Sequence, residues 1–276
     1  MAVATDTLER AVHAALAEDI GAGDVTTDAT VAADAVGTAA IVVKQAGVVC
    51  GLRVVETAFR ALDPDIGFEA FAQDGDAVEP PAIVARIAGS ERAILTGERV
   101  ALNFLGRLSG IATLTRRYVD AVDGTGVAVL DTRKTTPGLR ALEKHAVACG
   151  GGRNHRFGLD DAVLVKDNHL RAAGSVATAV QLVRGATDLP VEVECESLDQ
   201  VREALDAGVD ALLLDNMTLA ELREAVALNA GRARLEASGG VSLDTIRDIA
   251  ETGVDEISVG ALTHSAPSLD VSLELT

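Results

Sequence analysis

The chain has 276 residues, of which 48% are hydrophobic and 24% charged, and a formal net charge of −18 at pH 7. That balance describes a globular protein with a sizeable core and excludes a disordered or collagen-like chain. No apolar run approaches the ~18 residues of a membrane span. The negative field disfavours nucleic acid and anionic membrane as partners.

Met1–Glu9 has neither a basic nor an apolar leader segment, so no secretory signal is expected. Cys50, Cys149 and Cys195 are far apart and odd in number, which argues against a disulfide framework and against a zinc cluster. A reduced, cytoplasmic setting is the expectation. Lys44, Lys134, Lys144 and Lys166 are the lysines; every other basic residue except histidine is arginine. The acid excess fits salt adaptation better than base composition alone.

In chain order, Thr7–Glu18 has helical spacing (Leu8, Val12, Ala15, Leu16), and Glu18–Thr27 reads as a Gly/Asp loop. Ala39–Cys50 is β-rich and Val54–Leu62 helical. Gly67–Ile87 reads as strands broken at Asp74-Gly75 and Pro80-Pro81. Glu91–Val122 is a long helical stretch that Gly106 and Gly110 are expected to kink or split.

From Val127 the pattern becomes regular. Apolar runs at Val127–Leu130, Ala162–Val165, Val191–Val193, Ala211–Leu214, Arg234–Ala237 and Glu256–Val259 alternate with helical stretches. The latter include Ser175–Val183, Ser197–Ala207, Thr218–Leu228 and Ser242–Glu251. This alternation predicts a parallel α/β domain. Two helices end in a Gly-Val-Asp turn (Ala207–Asp210 and Thr252–Asp255), a recurring αβ unit.

Each run ends in polar or glycine-rich residues. They are Asp131-Thr132-Arg133-Lys134, Lys166-Asp167-Asn168-His169, Glu192 and Glu194, Asp215-Asn216, Ser238-Gly239-Gly240, and Gly260. Strands closed into a barrel would bring these ends to one rim, where α/β barrels build active sites. An open doubly wound sheet would spread them along an edge, so the barrel is the expectation.

Asp131–His169 holds seven cations and five acids, a net +2 that leaves −20 on the rest of the chain. Arg133, Lys134, His155, Arg156 and Lys166 imply a ligand with several negative charges. Glu192 and Glu194, two apart on a strand, share one face, and Asp215 can join them. Carboxylates beside a phosphate site suit Mg²⁺, or else form a lattice with arginine without metal. Ser238-Gly239-Gly240 and Gly260 suit a phosphate cradle. His264 fits either a phosphate donor or a surface residue.

Glu98-Arg99, Leu108–Thr113 (LSGIAT), Asp131–Arg140 (DTRKTTPGLR), Gly150–Arg156 (GGGRNHR), Leu164–His169 (LVKDNH), Val191–Glu194, Leu213–Asn216 and Leu235–Gly240 occur in one order. Across essentially the whole chain these blocks resemble the quinolinate phosphoribosyltransferase family. The resemblance implies an N-terminal α/β sandwich domain over 1–109 and an incomplete α/β barrel of six or seven strands over 110–267. Residues 268–276 would return to the first domain, with Val271–Leu275 as the strand. It implies transfer of phosphoribosyl from phosphoribosyl pyrophosphate to quinolinate with decarboxylation, giving nicotinate mononucleotide, pyrophosphate and CO₂ for NAD synthesis, with Mg²⁺. It also implies a homodimer with a shared site, sometimes assembled further to a hexamer. Arg133, His155, Arg156 and Lys166 would hold the two carboxylates, with Arg99 reaching in from the partner subunit. Lys134 would sit near the reacting centre and the pyrophosphate, and Glu194 and Asp215 would bind Mg²⁺ or ribose hydroxyls. Ser238, Gly239, Gly240 and Gly260 would cradle the 5′-phosphate.

The competing readings are a related phosphoribosyltransferase using nicotinate or linked to molybdenum transport, a Schiff-base aldolase using Lys134 or Lys166, and a non-catalytic barrel scaffold. The cationic set for two carboxylates favours quinolinate.

Overall fold

A computed structural model describes residues 3–276. The chain forms two compact units. The first takes the chain as far as Arg116, together with Thr135–Gly151 and Leu262–Thr276; the second takes Arg117–Lys134 and Gly152–Ala261.

The first unit opens with α1 (Thr5–Ile20), whose Leu8, Val12 and Leu16 recur every four residues and are buried. The expected Gly/Asp loop contains a short helix, α2 (Val25–Thr30), because the Asp24 carboxylate caps it by accepting the Thr27 N–H at 3.0 Å. There follow β1 (Val36–Val43), β2 (Gly47–Val48), α3 (Leu52–Leu62), β3 (Gly67–Ala70), β4 (Ala77–Val78) and β5 (Ala82–Ser90). α3 buries Leu52, Val54, Val55, Ala58 and Phe59 along one stripe and packs on α1.

α4 runs unbroken over Glu91–Ala121, so Gly106 and Gly110 do not split it. They serve close packing instead. A Cβ on Gly110 would lie 2.0 Å from the Pro267 carbonyl oxygen, and one on Gly106 would lie 3.0 Å from that of Leu269. The chain's last strand, Val271–Leu275, adds antiparallel to β1, in register from Val43↔Val271 to Ala39↔Leu275. With that last strand first, the four-stranded order is Val271–Leu275, β1, β5, β3.

The second unit holds β6 (Ala128–Leu130), β7 (Val163–Val165), α6 (Asp167–Ala173), α7 (Val176–Arg184), β8 (Val191–Cys195), α8 (Leu198–Asp206), β9 (Ala211–Asp215), α9 (Leu219–Asn229), β10 (Arg234–Ser238), α10 (Ile246–Ala250) and β11 (Glu256–Ser258). The chain segment between β6 and β7 carries α5 (Arg140–Cys149), which belongs to the first unit. α11 (Ala261–His264) follows β11, and the closing strand at Val271–Leu275 is β12. Ser175, Ser197 and Thr218 cap α7, α8 and α9 with their hydroxyls, and Thr218 with Glu221 makes a reciprocal capping box. Only Ile246–Ala250 of the expected Ser242–Glu251 helix is helical.

The six strands pair in parallel in the order β6-β11-β10-β9-β8-β7. This is chain order wrapped around a ring, with the ladder between β6 and β7 missing. The sheet is an incomplete barrel, open at that seam rather than closed. The two Gly-Val-Asp turns do one job twice. Asp210 accepts the Val191 N–H, and Asp255 accepts the Leu235 N–H, each through Oδ2 at 2.8 Å. Each turn therefore pins the start of the neighbouring strand.

Candidate active site

Strand alternation decides which side chains face the concave side of the second unit. Counting in steps of two gives Leu164 and Lys166 from β7 and its end, Glu192 and Glu194 from β8, and Leu213 and Asp215 from β9. Glu236 and Ser238 from β10 and Ser258 from β11 complete the set. Adjacent register aligns Glu194 with Leu213, Leu213 with Glu236, and Glu236 with Glu256, so these residues form a layer. A pocket of about 280 Å³ is lined by Leu164, Lys166, Glu194, Leu213, Asp215, Glu236, Ser238 and Ser258, together with Thr132, Arg133, Lys134, His155 and Arg156. Polar strand ends thus converge although the barrel is not closed: curvature suffices.

The floor of the pocket shows that curvature. His155 Nε2 lies 3.2 Å from Glu192 Oε2 and 3.1 Å from Glu236 Oε2. These acids stand on β8 and β10, strands that a flat sheet would hold about 9–10 Å apart. Burial opposes charging of the imidazole, but hydrogen bonds and charge from Glu192 and Glu236 outweigh it and raise its pKa to about 10. His155 is therefore a cation at neutral pH. The acids are 6% and 1% exposed, a burial tolerable only with such a partner. The loop bearing His155 is set by Asp131, fully buried, which accepts the His155 N–H at 2.9 Å and the Asn154 amide at 2.6 Å.

Two guanidiniums form one wall. Burial first, and the charge of Arg133 second, push the Arg156 pKa down. Arg156 gives one N–H to the Ala162 carbonyl at 3.2 Å. Arg133 Nε is buried and has no hydrogen-bond partner among the described residues. Like charges side by side with an unsatisfied donor are the arrangement that an anion completes.

The same pocket is also lined by carboxylates. Lys166 Nζ pairs closely with Glu194 Oε2. Asp215 accepts the Asn216 amide at 2.7 Å. Asn216 has φ 55° and donates its N–H to the Ser238 carbonyl at 2.8 Å. Its side chain occupies the space over Gly239, where a Cβ would come within 2.1 Å of Asn216 Oδ1. Gly239 and Gly240 have φ 93° and 62° and follow Ser238 at the end of β10, as Gly260 follows β11.

Arg99 belongs to the first unit, on α4, paired with Glu98 at 3.7 Å, and it lines a recess with Leu102, Asn103 and Ser268–Val271. His264 is exposed and contacts Ser265 at 2.6 Å. Sequence reading did not single out Glu236, Ser258 or Asn154, and it placed Asp131 among the polar strand ends without a role. The signal for Glu236 was present as one acid between Leu235 and Ala237, the alternation that also marked Glu192 and Glu194.

Family models of quinolinate phosphoribosyl transferase match the chain, the N-terminal domain over residues 24–109 and the C-terminal domain over 111–274. The chain is 47% identical over 265 residues to a probable nicotinate-nucleotide pyrophosphorylase [carboxylating] of Synechocystis, covering 94% of this chain and 90% of that protein. It is 44% identical over 282 residues to the Mycobacterium leprae nicotinate-nucleotide pyrophosphorylase [carboxylating], covering 99% and 97%. The crystal structure of NadC from Streptococcus pyogenes superposes with a TM-score of 0.96 at 43% identity, covering 100% of this chain and 99% of that one.

Proposed function

The chain belongs to the quinolinate phosphoribosyltransferase family, and from that premise we propose how its second-unit pocket does the work. The enzyme transfers the phosphoribosyl group of phosphoribosyl pyrophosphate to quinolinate with loss of CO₂, yielding nicotinate mononucleotide and pyrophosphate in NAD biosynthesis. The observation that carries the residue assignment is that one pocket is lined by both cationic and acidic side chains. Arg133 and Arg156 line it as neighbouring like charges, and Glu194 and Asp215 line it as well.

In this reading Arg133, Arg156 and Lys166 grip the two carboxylates of quinolinate. His155, charged and held between Glu192 and Glu236, balances part of their charge and orders the floor. Ser238 and the glycine turns at Gly239, Gly240 and Gly260 receive the 5′-phosphate through backbone N–H groups. The quinolinate nitrogen uses its lone pair to form the bond to ribose C1 as the C1–oxygen bond to pyrophosphate breaks. No general base is needed, because that nitrogen carries no proton. Positive charge developing on the ribose is stabilised by Glu194 and Asp215, and negative charge on the departing pyrophosphate by Lys134. The alkylated ring nitrogen is cationic. Its positive charge stabilises the electron pair that stays on C2 when the carbon–carbon bond to the carboxylate breaks and CO₂ departs; C2 then takes a proton from water.

Glu194 and Asp215 supply hard carboxylate oxygens at the ends of neighbouring strands, a donor set that fits Mg²⁺ sharing phosphate oxygens and water. When bound, the ion would neutralise pyrophosphate charge. The shared-site homodimer, with Arg99 supplied by the partner, is also part of the proposal. The exposed Leu159, Leu182 and Leu189, which line one apolar cavity against β7 at the open seam, support an association surface. Free thiols at Cys50, Cys149 and Cys195 fit a reducing, cytoplasmic setting.

The test supplies quinolinate, phosphoribosyl pyrophosphate and Mg²⁺ and follows CO₂ and mononucleotide, with nicotinate in a parallel reaction. Equal yields of CO₂ and mononucleotide from quinolinate alone are expected. Product from nicotinate at a comparable rate would overturn the assignment of the cationic wall to two carboxylates.

A further inference from the structure

The fold gathers four metal-ligating side chains in the first unit, and none of them lines the phosphoribosyl-transfer pocket. Cys50, Asp74, His145 and Cys149 each offer one ligand atom, and the four atoms lie within 4.8 Å of one another. Cys149 Sγ is 3.5 Å from His145 Nε2, His145 Nε2 is 3.0 Å from Asp74 Oδ2, and Asp74 Oδ2 is 3.9 Å from Cys50 Sγ. A tetrahedron with ordinary zinc–sulfur, zinc–nitrogen and zinc–oxygen lengths has edges of about 3.3–3.8 Å. The measured separations bracket that range.

Each ligand is held from behind. His145 and Cys149 stand one turn apart on the same face of α5. Asp74 Oδ1 accepts the N–H groups of Gly51 and Leu52 at 2.9 and 3.1 Å, which turns Oδ2 toward His145 and Cys50. The Cys50 backbone is clamped on both sides by the buried Ser109 hydroxyl, at 2.9 Å from its nitrogen and 3.2 Å from its carbonyl oxygen. Supports of this kind orient ligands and set metal affinity. A cavity of about 500 Å³ lined by Gly51, Leu52, Gln73, Asp74, Leu142 and His145 borders the cluster and gives an ion a way in.

We infer that Cys50, Asp74, His145 and Cys149 form a four-ligand site for a zinc-class divalent ion. Two thiolates, an imidazole and a carboxylate suit zinc in both softness and number, whereas Mg²⁺ takes oxygen ligands alone. The two cysteines are 99 positions apart in the chain, so their spacing shows no zinc motif. The same thiols could instead join as a disulfide, but a disulfide would have no use for His145 and Asp74, which also converge here.

The full chain, purified with reductant and stripped with chelator, would be titrated with Co²⁺ and then Zn²⁺. One Co²⁺ per chain is expected, with thiolate-to-cobalt charge-transfer absorption and the intense visible bands of tetrahedral cobalt, displaced by one Zn²⁺. His145→Ala should weaken zinc binding at least tenfold, and the double variant C50S/C149S should lose the charge-transfer band. His155→Ala should keep it, which separates this site from the His155, Glu192 and Glu236 group. No charge-transfer band in the unaltered chain, or its persistence in C50S/C149S, would overturn the inference. So would a Cys50–Cys149 disulfide in protein isolated without reductant and free of zinc by elemental analysis. If a variant fails to fold, the cobalt spectrum of the unaltered chain still decides. The metal count does not depend on turnover of quinolinate, so failure of the proposed reaction would leave it intact.

Discussion

Arg133 is the residue on which the cationic wall turns, because its buried Nε has no hydrogen-bond partner among the described residues and its charge acts on Arg156. Arg133→Ala should raise the KM for quinolinate roughly 30-fold or more, the cost of losing one partner of a desolvated ion pair, with a smaller change in kcat. A normal KM for quinolinate would sink this assignment. Glu194→Ala should do the reverse: kcat falls by roughly 100-fold as charge stabilisation at the ribose is lost, while the quinolinate KM stays near its original value. His155 yields a pH dependence. Its folded pKa, about 10, lies above the unfolded 6.5, so its stabilisation is complete below about pH 6.5 and is lost as pH rises through 10. The stability gap between the unaltered protein and His155→Gln, measured by urea unfolding, should therefore be a few kcal/mol at pH 6 and should narrow toward pH 10. A gap independent of pH would show that the imidazole is not charged.

At the scale of elements, α4 reverses the usual rule for helical glycine. Glycine to alanine inside a helix ordinarily gains up to about 1 kcal/mol. At Gly110 the added Cβ would meet the Pro267 carbonyl oxygen at 2.0 Å, a backbone atom that cannot swing aside. Gly110→Ala should thus cost about 3 kcal/mol or more, visible as a lowered denaturation midpoint. A stabilised variant would mean that the 267–269 segment moves freely. The helix is unbroken because these glycines make room for a neighbouring strand of chain and leave the helix's own hydrogen bonds intact. The Gly-Val-Asp turns are a contrasting case: the recurrence was legible in the sequence, but the work of each aspartate, accepting the N–H that opens the adjacent strand, depends on parallel pairing.

For the whole molecule, a charge of −18 implies self-repulsion that salt screens over a Debye length falling from ~10 Å at 0.1 M to ~3 Å at 1 M. The melting temperature should rise by several degrees across that range. An unchanged melting temperature, with maximal activity at low salt, would remove salt adaptation as the reason for the acid excess. The open seam between β6 and β7 also belongs to this scale. The chain between these strands carries α5, which is assigned to the first unit. A closed barrel would need that ladder; the active-site rim does not, because curvature alone brings acids of β8 and β10 to one imidazole.

Hydrophobic periodicity, the polar residue at each strand end and the ordered motif blocks were enough, from the sequence alone, to expect two α/β parts, a convergent rim and a site for a polyanionic substrate. Those signals are local: a period of two or 3.6 and the residue that follows it record which face is buried and where a strand stops. The pairing of Lys166 with Glu194, the His155 clamp, the packing role of Gly110 and the meeting of Cys50 with Cys149 came only with the tertiary structure. Each joins residues far apart in the chain, and their proximity depends on strand order, sheet curvature and helix placement rather than on any neighbouring residue.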